Sequence, residues 1–232
     1  MSSYTENSLG FILKNDDYKI LENKNFQNNY FEELEFGPSW PPGKLKLTNL
    51  NFSKCNVTSG RFCVGAGVNI ENVVFDSIKS RDFLTISTHA VLKNVVIKGK
   101  YPKKGIWVRP DEVFNESSDS EYGKWAKREY EDIECILDIT SLDVSEILIY
   151  GFPIEKIKFD SKKHIVLKRS GDPSAINRIE IPGGSGYFRA AIRKLYGYGV
   201  SSAIVGLPLG DNEYYLKTVE ELRVLRLNGI ID

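Results

Sequence analysis

Leu47-Thr-Asn-Leu50-Asn-Phe52, Ile70-Glu-Asn-Val73-Val-Phe75 and Leu92-Lys-Asn-Val95-Val-Ile97 share one pattern, apolar-x-x-apolar-x-apolar. Ile154-Glu-Lys-Ile157-Lys-Phe159 and Ile176-Asn-Arg-Ile179-Glu-Ile181 repeat it further along the chain. The first three starts are 23 and 22 residues apart, and the last two are again 22 apart. A fixed period of this size marks stacked supersecondary units, each too small to bury its apolar face alone. The period therefore decides the architecture before any single propensity is weighed.

Each repeat carries a second apolar run roughly 14 residues on: Phe62-Cys-Val64, Leu84-Thr-Ile86, Ile106-Trp-Val108 and, slightly early, Ile165-Val-Leu167. β-branched and aromatic residues in such short runs favour strands. Gly60, Gly99, Gly105 and Gly151 fall between the runs as turn residues. Two short strands and their turns per period describe one coil of a parallel β-helix, with the repeated apolar positions pointing inward. Asn49, Asn72 and Asn94 occupy one place in three successive units. Stacked at the strand spacing of roughly 4.8 Å, their amides would form a ladder. A less regular unit starts at Ile133-Glu-Cys-Ile136, where Asp138 replaces the last apolar residue, and Ile147-Leu-Ile149 is its second run. Between Leu92 and Ile133 the period leaves an insertion of about 19 residues, within Pro110–Tyr130. Its second half, Glu121–Ile133, reads as a helix with Tyr122, Trp125 and Glu129 along one face, started by Ser118, Asp119 or Ser120.

The flanks differ from the repeats. Residues 1–36 are polar and acidic with scattered apolar anchors, and Gly37-Pro-Ser-Trp-Pro-Pro-Gly43 breaks regular structure. Residues 1–43 are therefore expected as an N-terminal cap of short strands or a helix. Pro182-Gly-Gly-Ser185 ends the pattern; Ser185 is suited to cap a helix over Tyr187–Tyr196, Ala203-Ile-Val205 reads as a strand, and Tyr214–Leu227 as a helix. Residues 182–232 are thus expected as an α/β cap protecting the last coil's open edge. The expected fold is mainly β: about six coils of roughly 22 residues over 44–181, with an insertion near 110–130, all in one cooperative unit.

Leu92-Lys-Asn-Val-Val-Ile-Lys-Gly99 followed by Gly105-Ile-Trp-Val108 resembles the coils of right-handed β-helix proteins of the pectate-lyase-like type. The resemblance covers roughly 47–181 and implies a right-handed parallel β-helix. The alternative is a leucine-rich-repeat-like solenoid, which shares the strand pattern. That class places Asn or Cys eight residues after the first apolar position, and only Cys55 does so here.

Composition narrows the function. The 31 basic and 31 acidic side chains among 232 residues balance, so the basic excess expected of a nucleic-acid binder is missing. No run approaches the roughly 18 apolar residues of a membrane helix, and Met1-Ser-Ser-Tyr-Thr-Glu-Asn7 has no secretory pattern, so a cytoplasmic location is expected. Cys55, Cys63 and Cys135 match no metal or redox spacing, and two His, His89 and His164, give a metal site or a Ser-His triad little material. No metal and no cofactor is expected. Pro182-Gly-Gly-Ser-Gly186 opens a helix whose free N–H groups favour anions, but no Gly-Lys-Ser/Thr follows, and a chain-reversing turn is the simpler account.

The insertion is the most suggestive segment. Asp111, Glu112, Glu116, Asp119 and Glu121 place five acids in eleven residues without a base, followed by Tyr122 and Trp125 and preceded by Trp107. Aromatic anchors rimmed by one sign of charge suit recognition of a basic protein; the alternative is a solvated loop whose rings pack back onto the repeats. These eight residues are the expected partner-binding set. With titratable clusters lacking, a non-catalytic binding protein is expected, most specifically a bacterial immunity protein that blocks a basic toxin domain. The competing reading is a polysaccharide lyase or hydrolase on the same scaffold, for which Asp76, Lys98, Lys158 and Asp160 lie on the outer strand face but too scattered to pair.

Overall fold

The computed structural model describes residues 9–13, 19–58, 61–100, 105–110, 120–144, 146–169, 185–208 and 213–229, with side chains from Ile20 onward. The protein is mainly β, and most strand pairs are parallel. One sheet places Lys19–Gln27, Leu45–Ser53, Asn69–Asp76, Val95–Lys100, Leu137–Asp138 and Ile157–Lys158 side by side. A second runs Tyr30–Phe36, Phe62–Val64, Leu84–Ser87, Ile106–Arg109 and Ile147–Tyr150 in parallel. Each pass of the chain thus contributes a strand to both sheets.

The register explains the motif. Leu47 pairs with Ile70, Leu50 with Val73 and Phe52 with Phe75, and Phe75 pairs in turn with Ile97. A uniform strand would send positions three apart to opposite faces. Asn49, Asn72 and Asn94 break that alternation by adopting left-handed backbone at φ 55°, 54° and 53°, a conformation Asn tolerates because its amide bonds locally. The bend brings both flanking apolar residues inside, so Leu47, Leu50, Ile70, Val73, Leu92 and Val95 are all buried. The Asn side chains form the expected ladder: Nδ2 of Asn94 donates to Asn72 Oδ1 at 3.2 Å, and Asn72 to Asn49 at 3.2 Å. Asn49 continues to Asn23 at 3.1 Å. Inside, the rings of Phe26, Phe52 and Phe75 stack at 4.8 and 5.4 Å with planes within 17°.

Asn23 marks a correction at the N-terminus. Residues 19–36 are not a separate cap but strands of both sheets: Leu21 pairs with Leu47, Lys24 with Leu50 and Phe26 with Phe52, and Leu9–Leu13 runs parallel to Tyr30–Phe36 ahead of them. Lys24 stands where later units have Leu or Val, which hid the motif. The Gly37–Gly43 segment is then a connection between strands, not a boundary.

Three further expectations shift. Val95 pairs with Leu137 and Val96 with Asp138, so the register runs one place later than read and Asp138 points outward; Ile133 and Ile136 are buried, and Leu137 and Ile139 join them inside. A one-residue slip of this kind exchanges the faces of a strand. Ile154–Lys156 form a 3-10 turn, and strand structure begins only at Ile157. Ile165–Leu167 does not stack on Ile147–Ile149; Ser202–Gly206 lies between them and pairs antiparallel with both. The repeat at Ile176–Ile181 lies outside the described residues.

That antiparallel strand ends the parallel run, satisfying the exposed edge of Ile147–Tyr150. Helix α2 (Tyr187–Gly197) lies across the outer face of this part of the sheet, and helix α3 (Glu213–Leu227) packs beside it. Leu148, Tyr150, Leu167 and Val205 meet Phe188, Ile192, Leu195, Leu222 and Leu225 in a second apolar core. Ile147–Tyr150 is consequently buried on both faces. Tyr150 donates its hydroxyl to Ala191 O at 3.2 Å, and Tyr187 donates to Gly206 O at 2.9 Å; burial pushes both phenols well up. The start of α2, expected as an open anion site only in the weaker reading, is already filled. The buried Glu221 carboxylate accepts from Ser185 Oγ at 2.7 Å and from Arg189 N–H at 2.9 Å, where the helix N-terminus favours negative charge.

Candidate functional site

Helix α1 (Glu121–Glu131) forms within the insertion, as its composition predicts, and Ser120 is its N-cap, accepting from Gly123 N–H at 3.0 Å. The reason it stays against the sheet is Tyr130. Its hydroxyl donates to Ala90 O at 2.5 Å and accepts from Leu92 N–H at 3.2 Å. The next strand bonds Asn94 and Val95 through Cys135 and Ile136, leaving Ala90–Leu92 without a strand neighbour on that side among the described residues. Tyr130 supplies the missing donor and acceptor, and burial pushes its phenol well up. Lys156 Nζ closes the other end by donating to the Tyr130 and Glu131 carbonyls, a favourable cation at a helix C-terminus.

The aromatic residues of α1 face inward. The Tyr122 ring meets Trp40 edge-on at 5.3 Å, and a Cβ on Gly67 would sit 2.7 Å from the Tyr122 ring. Only glycine at residue 67, also at φ 75°, allows that approach. Trp125 is half-buried against Gly43 and the main core. Glu121 is exposed, and with Lys124, Lys127, Arg128 and Glu131 it borders a shallow depression of mixed charge beside Trp125. Tyr122 and Trp125 thus pack back onto the repeats. Asp111, Glu112, Glu116 and Asp119 lie outside the described residues.

Trp107 belongs to a different surface. On the outer face of the second sheet, Glu35, Cys63, Thr85 and Trp107 stand in one register row across four parallel strands. This row floors a groove of about 540 Å³ bordered by Arg61, Asp82, Phe83 and Arg109 and ending at Pro110. The Trp107 ring is half-buried; Phe83 meets it edge-on at 5.8 Å. The Arg109 guanidinium lies 4.5 Å and the Lys194 ammonium 4.1 Å from its centroid. Its indole N–H is buried and finds no acceptor among the described residues. Such stacking favours cations on the ring face.

Asp82 and Arg109, far apart in the sequence, are brought by the fold to one groove with Glu35 and Arg61. The signal was present in the spacing of Cys63, Thr85 and Trp107, the outward middle residues of three successive second runs. Lys194 had no such signal, because it arrives from α2. Asp76 and Lys98, adjacent in register, hold each other at 3.8 Å, and Glu71 holds Lys93 at 2.7 Å; these are solvated rung pairs. Cys55 is a buried thiol donating to Phe26 O at 3.3 Å, and burial pushes its pKa up. Among the described residues no group of three His, Cys, Asp or Glu side chains is placed to hold a metal, and no helix is long and apolar enough to cross a membrane. Comparison with known proteins finds no family model, no curated protein and no solved structure that matches the chain.

Proposed function

We propose that the chain is a short right-handed parallel β-helix of about six coils that serves as a non-catalytic protein-binding module, and that its partner is a toxin domain neutralised in the bacterial cytoplasm. Two parallel sheets filled in alternation support the β-helix over a leucine-rich-repeat solenoid, whose repeats line a single parallel sheet. The observation that carries the binding function is the groove at Trp107. It combines a half-buried Trp, Arg61 and Arg109 with the acids Glu35 and Asp82, and Trp and Arg dominate the energetics of protein interfaces. From Pro110 at its end the chain runs directly into Asp111, Glu112, Glu116 and Asp119. Acids following Pro110 in the chain would steer a basic partner and mimic phosphate in a nuclease-type active site.

The test titrates the chain calorimetrically against purified basic toxin domains of the nuclease type. Trp107→Ala is expected to weaken binding at least tenfold. The triple variant D111K/E116K/D119K is expected to slow association and remove most of its salt dependence. Absence of binding by the wild-type chain, or unchanged affinity in both variants, rejects this reading. One observation favours a second: Glu35 and Asp82 line the same groove as an aromatic ring, as a polysaccharide lyase or hydrolase would require. Release of unsaturated or reducing ends from an acidic polysaccharide, abolished in Glu35→Gln, would decide for it.

A further inference from the structure

Helix α3 buries one face and leaves the opposite one bare. Thr218, Glu221, Leu222 and Leu225 point into the protein. On the other side Leu216 is 62% exposed, Val219 37% and Leu227 72%, with Val224 half-buried beside them. In the middle of this apolar stripe Glu220 and Arg223 form a two-pronged ion pair, Nε to Oε2 at 2.9 Å and Nη2 to Oε1 at 2.7 Å.

The order of these residues is its own mirror image in chemical type. Leu216 and Leu227, Val219 and Val224, and Glu220 and Arg223 each lie equally far on either side of the midpoint between Glu221 and Leu222. At about 100° per residue the whole set centres on the face directly opposite the buried one. A two-fold axis through that midpoint would lay two α3 helices antiparallel. It would then set Leu216 against Leu227 of the second copy, Val219 against Val224, and Glu220 against Arg223. An isologous contact demands this relation, since each residue must find its complement on an identical surface. A stripe meant only for solvent has no reason to place its two charges of opposite sign symmetrically about the centre of its apolar residues.

We propose that this face of α3 is a homodimer interface in which two copies of the chain pair antiparallel, Glu220 of each facing Arg223 of the other. The contact spans Leu216 to Leu227, about 16 Å of helix. That is narrower than interfaces of standard size, about 800 Å² per partner, so the dimer is weak and forms in the range of about 10–100 µM. No residue of α3 lines the Trp107 groove, and the dimer does not depend on what that groove binds.

Sedimentation velocity of the full chain from about 1 to 500 µM reads the equilibrium directly. The wild type is expected to pass from monomer to dimer across that range. Glu220→Arg alone and Arg223→Glu alone each set like charges against each other across the axis and are expected to weaken dimerisation at least tenfold. The double variant E220R/R223E restores opposite charges at every contact and is expected to recover the wild-type constant. An equimolar mixture of the two single variants should form a heterodimer. The rescue separates loss of the interface from damage to the helix. A wild type that stays monomeric at 500 µM, or a dimer unaffected by either single variant, overturns the proposal.

Discussion

Between Leu45 and Lys100 the stabilising contacts recur from strand to strand, whereas around α1 and the C-terminal helices each is made once. The first region holds three Asn in a ladder, Phe52 and Phe75 of the three-ring stack and pairs of apolar residues in unbroken register. The second depends on single side chains bonded to single backbone groups: Tyr130 to Ala90 and Leu92, Tyr150 to Ala191, and Glu221 to Ser185 and Arg189. Repetition spreads the consequences of a change over neighbours of the same kind. A one-off contact concentrates them, but the group involved is small. The difference lies in how each region manages strand edges. Inside the stack every edge meets another copy; at its interruptions and at its end, Tyr130 and the antiparallel strand Ser202–Gly206 take that place.

The largest effect is expected within the stack. Phe52 is buried between Phe26 and Phe75 and also touches Phe31 and Phe36 at 6.1 and 6.2 Å. Phe52→Ala removes the central ring and leaves a cavity whose walls are held by the ladders on both sides. The expected cost is about 3–5 kcal/mol, a large share of the roughly 5–15 kcal/mol that a domain has to lose. Guanidinium unfolding monitored by fluorescence should show the whole transition move together. A change below about 1 kcal/mol would mean that the stack repacks around the gap, and the contrast between the regions would then vanish.

The second effect tests the one-off contacts. Tyr130→Phe keeps the ring in place against Phe152, 5.8 Å away, and removes only the hydroxyl. Two buried backbone groups, Ala90 C=O and Leu92 N–H, lose their partner, at an expected cost of about 1–3 kcal/mol. Hydrogen exchange should localise it: faster exchange at the Leu92 amide and along α1, with little change at Leu50 or Val73. Equal acceleration throughout the first sheet would show that α1 and the stack open as one unit.

How much of this was legible follows the same division. The motif at Leu47, Ile70 and Leu92 could be read because left-handed Asn fixes which residues point inward, and the sequence repeats that device three times. The run Ser118-Asp119-Ser120 gave away the start of α1, and the structure selects Ser120 among the three. The pass Lys19–Phe36 was hidden by one residue: Lys24 sits where a pattern search expects an apolar side chain, and at the end of a sheet a long amphipathic chain is tolerated there. The Ile133 unit was read one place off because Ile136 and Leu137 are both apolar and only pairing distinguishes them. The antiparallel insertion of Ser202–Gly206 had no local signature, since a strand's composition does not say which neighbour it will meet. The groove at Trp107 was half visible. Its floor comes from the period; its cations come from separate places, Arg61 and Arg109 beside the row and Lys194 from α2.

The smallest expected effect is a dependence on pH confined to the C-terminal unit. His164 is buried where it pairs with Gly206, its Nδ1 3.1 Å from Asp160 O and its ring near Phe159. Burial holds its pKa below the ordinary value, outweighing the opposing pull of Asp160. The unfolded chain therefore takes up a proton at higher pH than the folded one does. Stability from keeping this imidazole neutral is fully present above the unfolded value of about 6.5 and is lost progressively as pH falls from there through the folded value. His164→Gln removes that loss while retaining a polar group. Denaturation midpoints at pH 8, 7, 6 and 5 should converge or cross for the two proteins as the solution is acidified, because every carboxylate titration is common to both. A gap between wild type and variant that stays constant from pH 8 to 5 would mean that His164 is protonated as readily folded as unfolded. The strand pair it sits in would then be open enough to admit water, and the C-terminal unit less firmly closed than the stack it terminates.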